Sequence, residues 1–142
     1  MSTTTEENKV IVQRFLEEGP SKGDLAAAKE LLSPNFSLHT PIPSAPGIQG
    51  ITDIITTCRA AFEHLDVKVE DLIAEGDKVS ARFVANGIHN GSFMNLPPTG
   101  RPIKMTGIEI FRIEDGKIAE LWAEANIIGL LQQIGAFPAF GQ

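Results

Sequence analysis

Hydrophobic positions recur every three to four residues in three stretches of the N-terminal half, then alternate with polar ones through most of the C-terminal half. From Glu7, the apolar residues Val10, Ile11, Phe15 and Leu16 predict a first helix that ends near Gly19-Pro20, after a polar, frayed start over residues 1–6. Residues 21–34 (SKGDLAAAKELLSP) predict a second helix, with Asp24 as N-cap and Pro34 just beyond its end. A short extended piece, NFSLHT, leads into a loop over residues 41–50 that carries three prolines. Residues 51–65 predict a third, amphipathic helix. Two hairpins follow. The first spans residues 65–89 and turns at Glu75-Gly76-Asp77; the second spans residues 104–127 and turns at Glu114-Asp115-Gly116-Lys117. Residues 127–135 form a short helix and AFPAFGQ a tail. Helices first and strands afterwards indicate an α+β fold, with an antiparallel sheet of four strands curling around a pocket and helices on one face.

The connection between the hairpins, GIHNGSFMNLPPTGRPI (residues 87–103), is far longer than reversing a chain requires. It spends a histidine, glycines and prolines on one loop, which is read as the rim of the pocket. The net charge is −6 and the basic residues are scattered, so no partner with a phosphate backbone or an anionic membrane surface is expected. No apolar run reaches the ~20 residues of a bilayer span. The polar, acidic N-terminus does not resemble a signal peptide. With one cysteine, Cys58, no intrachain disulfide can form, and a cytoplasmic location is expected. Cys58 falls in a helical pattern and is read as a small apolar residue.

Four stretches taken together resemble the SnoaL-like polyketide cyclase family, within the nuclear-transport-factor-two-like superfamily. They are NKVIVQRFLEE with KGDL and LLSPNFSLH, then VEDLIAEGDKVSARF, then H-x-G-x-F-x-x-x-P-P-T-G-R from His89 to Arg101, and GIEIFRIEDGKIAELW. They cover nearly the whole chain, read as one domain over residues 1–142. The resemblance implies a cone-shaped curved sheet packed on three N-terminal helices around an apolar cavity. It also implies a homodimer and acid–base chemistry on hydrophobic carbonyl or ring-forming substrates, without cofactor or metal. Cyclases of this kind close a ring by an intramolecular aldol reaction. Relatives in the superfamily isomerise, dehydrate or open epoxides, and others only bind or associate. A non-catalytic binder of a hydrophobic small molecule and a dimeric association module therefore stay open beside the enzyme.

Acid–base chemistry needs a group that exchanges a proton near neutral pH. Glu124 follows Trp122 by two, so a strand aims both at one face. In related epoxide-opening enzymes an aspartate stands two residues after a matching tryptophan, which makes Glu124 the candidate proton carrier. His39 and His89 are candidate orienters or second carriers. His39 stands where the family commonly has a histidine. His89 shares strand parity with Val79, Ala81, Phe83 and Ala85, a mainly apolar face. Glu109 shares a face with Gly107 and Phe111 and resembles an acid that donates to an oxyanion in isomerase relatives; a strand charge on the outer face, paired with Lys104 or Arg112, is the other reading. Trp122, Asn126, Phe15 and Phe93 complete the candidate substrate contacts. Many relatives read E-H-W-D-x-x-D after the last hairpin; this chain reads Glu120-Leu121-Trp122-Ala123-Glu124-Ala125-Asn126. A metal held by His39, His89 and Glu124 is not expected, since no two are closely spaced. His64 is read as a helix-end histidine with no further role. Arg82 and Arg112 are read as outer-face residues, pairing there with Glu70 or Asp71 or covering a dimer contact.

Overall fold

The computed structural model describes residues 2–138; Met1 and the last four residues of the predicted tail lie outside the described residues. The element order is α1 (Thr5–Leu16), α2 (Leu25–Glu30), β1 (Leu32–His39), α3 (Gly47–Ala61), β2 (Phe62–Glu75), β3 (Lys78–His89), β4 (Pro102–Glu114), β5 (Lys117–Ala125) and α4 (Ile127–Gln133). The strands form one curved five-stranded sheet in the order β1-β5-β4-β3-β2, with the helices packed on it. The α+β expectation holds, with one strand more than the alternation predicts. β1 pairs in parallel with β5 at the sheet edge. Its register breaks between Leu32 and Ser37, around Pro34, which has no N–H to offer a ladder. That break hides the strand from a period-two reading.

The first helix starts earlier than expected. Thr4 accepts from the Glu7 N–H (3.1 Å) and the Glu7 carboxylate accepts from the Thr4 N–H (2.9 Å), a reciprocal capping box that orders residues read as frayed. After Leu16 the chain widens into a π-helical turn, Glu17–Ser21, which contains Pro20. The Arg59 guanidinium of α3 donates to the Pro20 and Ser21 carbonyls and so ties this turn to α3. Asp24 caps α2 as predicted, through the Ala27 N–H at 3.0 Å. α3 begins at Gly47 and ends at Ala61, four residues before the predicted end at each side. His64 therefore lies not at a helix terminus but in β2, at a bulge with φ of +57°.

Both hairpins turn where predicted, with Gly76 at φ +59° and Asp115-Gly116 at +51° and +74°. Inward-facing residues of the sheet meet two apolar clusters. Val12, Phe15 and Leu16 of α1 pack with Phe111, Ile118 and Leu121 of the sheet. Phe62, Phe93 and Ile103 pack with Leu130 and Ile134 and close the opposite end. The Gln133 side chain fastens α4 to β4 by donating to the Lys104 carbonyl (2.8 Å) and accepting from its N–H (2.7 Å). No helix among the described residues is long and apolar enough to cross a membrane.

Gly107 of β4 faces Phe83 of β3 across the ladder. A Cβ there would stand 2.5 Å from the Phe83 ring and 2.7 Å from the Glu124 carbonyl oxygen. The missing side chain is what lets the Phe83 ring lie across β4 beside Glu109. Gly107→Ala is expected to destabilise the fold by roughly 1–3 kcal/mol through overpacking, read as a lower urea midpoint at unchanged m-value.

Candidate functional site

Inward residues of β2–β5 and one face each of α1, α3 and α4 enclose an apolar cavity with two lobes, of about 120 and 110 Å³. The lobes share walls from Ile51, Ile54, Cys58, Phe62, Phe83 and Met105, and Glu109 lines both. Phe15 lines the inner lobe and Phe93 the outer one. Alternation along β4 explains the carboxyl's place: Met105, Gly107, Glu109 and Phe111 fall on one face, and Phe111 is fully buried against Phe15.

No hydrogen bond or ion pair reaches the Glu109 carboxyl from the described residues, and no lysine, arginine or histidine among them lines either lobe. Desolvation therefore acts without compensation and pushes the carboxyl up to about 7. The group can hold or release a proton near neutral pH. Cys58 shares the wall, and burial pushes its thiol up to about 11, so it stays protonated and weakly nucleophilic.

Glu124 is not in the cavity. It is exposed and pairs across the ladder with Ile108, whose side chain is also outside. Trp122 and Glu124 do share a face, but it is the outer one; Ala123 and Ala125 point inward and line the outer lobe. Trp122 is thus no cavity wall. His39 is likewise outside, 47% exposed, with its ring stacked on Trp122 at 5.4 Å and 13°. Its Nε2–H donates to Glu120 (2.6 Å), which also accepts from Arg112 (3.0 Å). His39 and then Arg112 hold the Glu120 carboxyl below the usual carboxylate range. These residues build an ion-pair network on the outer sheet face. Arg82 is outside too, paired with Asp71 at 2.6 Å. Asn126 does not line the cavity; its side chain caps α4, accepting from the Gly129 N–H at 2.9 Å.

His89 does point inward and is fully buried, yet it is not among the cavity-lining side chains. Its ring meets that of Phe62 at a centroid distance of 5.7 Å. Nδ1 lies 3.0 Å from the Thr99 hydroxyl and accepts from the Thr99 N–H (3.3 Å), which assigns the proton of the neutral ring to Nε2. That Nε2 has no partner among the described residues. The His89 backbone also bonds to Arg101 and Gly100 (2.8 Å each), so the histidine clamps the base of the long loop. Gly91 packs so closely that a Cβ would stand 2.2 Å from the Ala60 carbonyl oxygen. Within the loop, Phe93 and Leu96 bridge around Met94 and Asn95, both at positive φ, and this small turn presents Phe93 to the outer lobe. The loop is a cavity wall, as its composition suggested, while its histidine holds the wall in place. His39, His89 and Glu124 do not converge. Thr40, passed over in the sequence, lies just past the end of β1 and lines the outer lobe with Leu38, while His39 between them is outside.

The family model for SnoaL-like polyketide cyclases matches residues 10–134. The chain is 29% identical over 108 residues to the aklanonic acid methyl ester cyclase DnrD of Streptomyces peucetius, covering 75% of this chain and 72% of that one. It is 30% identical over 91 residues to the nogalonic acid methyl ester cyclase of Streptomyces nogalater, covering 63% and 67%. The solved structure of TsrD from Streptomyces laurentii superposes with a TM-score of 0.87 at 30% identity, covering 96% of this chain and all of the other. The family model spans most of the chain and the fold superposes on a solved relative over nearly its whole length, so the chain belongs to the SnoaL-like polyketide cyclase family.

Proposed function

We propose that the chain is a cofactor-independent acid–base enzyme of the cyclase type, acting on a small uncharged carbonyl compound, with Glu109 as its proton carrier. The observation that carries this reading is one unpaired carboxyl, titrating near neutral pH, at the junction of both lobes. A binder of apolar molecules gains nothing from a desolvated carboxyl, which costs stability whenever it ionises. A base near neutral pH needs one. The ionised Glu109 removes a proton from the carbon beside a substrate carbonyl, leaving an enolate. The enolate carbon attacks a second carbonyl of the same molecule and forms the ring C–C bond. Glu109 then returns its proton to the new alkoxide, so the enzyme ends as it began. The absence of a cationic side chain from the described walls supports an ester or ketone over a free carboxylate as substrate. The relatives' names, both methyl ester cyclases, agree with that preference.

Proton abstraction is read directly by NMR as exchange of α-hydrogens for deuterium in a panel of cyclic β-keto esters, beside cyclisation assays with aklanonic acid methyl ester. Glu109→Gln is expected to lower exchange at least ~10²-fold. Wild-type kcat/KM should rise with pH through a midpoint near 7, where the carboxyl ionises. Exchange by Glu109→Gln at the wild-type rate would refute the reading.

Stability gives an independent check. The folded protein holds the Glu109 proton up to about pH 7, whereas an unfolded chain releases it around 4.5. Across that window the folded state binds more protons, so this group's contribution falls as pH rises. Glu109→Gln should therefore unfold at higher urea than wild type at pH 8, by roughly 2–3 kcal/mol, with the difference gone near pH 4. By contrast, His39→Ala breaks an exposed outer-face pair and should change stability by under ~1 kcal/mol and exchange rates by less than about twofold.

A further inference from the structure

Removing a carbon-bound proton with Glu109 moves one negative charge from the carboxylate to the substrate oxygen. In an apolar enclosure that charge is costly unless a donor meets it. Three polar side chains in the described walls are available. Protonated Glu109 must keep its hydrogen for the alkoxide. Cys58 offers a weak S–H donor. Thr40 remains, in the wall of the outer lobe that Glu109 also lines.

Its hydroxyl oxygen accepts from the Ile42 N–H at 3.3 Å, which closes a small turn and fixes the oxygen where β1 ends. The hydroxyl hydrogen has no acceptor among the described residues. Accepting from a backbone N–H also polarises the hydroxyl and makes it a better donor. We propose that Thr40 is a catalytic residue whose hydroxyl donates a hydrogen bond to the enolate oxygen of the substrate in the lobe it shares with Glu109. The assignment rests on the acid–base reading above and adds its electrostatic half. The substrate carbonyl next to the abstracted proton sits in the outer lobe, toward Thr40. The remainder of the molecule extends into the inner lobe beside Phe15.

The test compares Thr40→Val, which keeps the branched shape without the hydroxyl, with Thr40→Ser, which keeps the hydroxyl and the turn. In the exchange assay Thr40→Val should lose ~10²-fold in kcat with KM changed by less than about threefold, while Thr40→Ser recovers to within about tenfold of wild type. A second readout is independent of Glu109's chemistry. In a Glu109→Gln background, which mimics the protonated carboxyl, the enolate analogue 4-nitrophenolate is titrated by absorbance. Adding Thr40→Val should weaken its binding about tenfold, whereas adding Thr40→Ser should leave it within about twofold. Circular dichroism confirms that each variant is folded. The proposal is overturned if folded Thr40→Val exchanges like wild type, if Thr40→Ser is as impaired as Thr40→Val, or if nitrophenolate binding ignores Thr40. Full exchange activity in Glu109→Gln alone would instead sink the acid–base reading, so the two failures are distinct.

Discussion

An unpaired carboxyl inside an apolar enclosure is the constraint on which the site depends. Glu109 has no partner in the walls, so its proton affinity is set by how completely those walls exclude water. Every element that closes the cavity therefore tunes one acid. The Phe15, Phe62, Phe83 and Phe93 rings, the α3 face and Leu130 of α4 all act on it through desolvation. An arginine or lysine brought near it would return it to the ordinary carboxylate range.

The enclosure is maintained by contacts that do not touch a substrate. Gly107 gives Phe83 its place. Gln133 holds α4 across β4, and Arg59 holds the π-helical turn against α3. His89, fully buried, orders the long loop through its ring and its backbone, and the loop in turn supplies Phe93. A histidine at a cavity rim invites a catalytic role. Here its Nδ1 is taken by Thr99 and its ring lies outside both lobes, against Phe62.

The outer face of the same sheet carries the opposite chemistry. His39, Glu120, Arg112 and Trp122 form a solvated network beside exposed Ile108 and Ile110. Exposed charges of this kind contribute little to stability singly. Along β1 and β5 the outward His39 and Trp122 alternate with Leu38, Ala123 and Ala125, which line the outer lobe.

The chain's own patterning determined the α+β class, the order of helices and hairpins, both tight turns, the Asp24 cap, the inward face of β3 with His89 on it, and the face that Glu109 shares with Gly107 and Phe111. The T-x-x-E signature at Thr4 to Glu7 was equally readable, although the polar start hid it. These features rest on local chemistry, in which turn residues need particular φ values, caps need nearby acceptors, and side chains alternate along a strand. Alternation says which residues share a face and is silent on which face turns inward when apolar and polar residues are mixed, as along Trp122 to Asn126. Only the tertiary structure decided that. The register of β5 on β4 sets Ala123 beside Glu109 on the cavity face and Glu124 beside Ile108 on the solvent face. The long-range parallel pairing of β1 onto β5 sets His39 beside Trp122 on the outer face. Desolvation of Glu109 is likewise invisible in sequence, because it sums walls drawn from segments far apart in the chain.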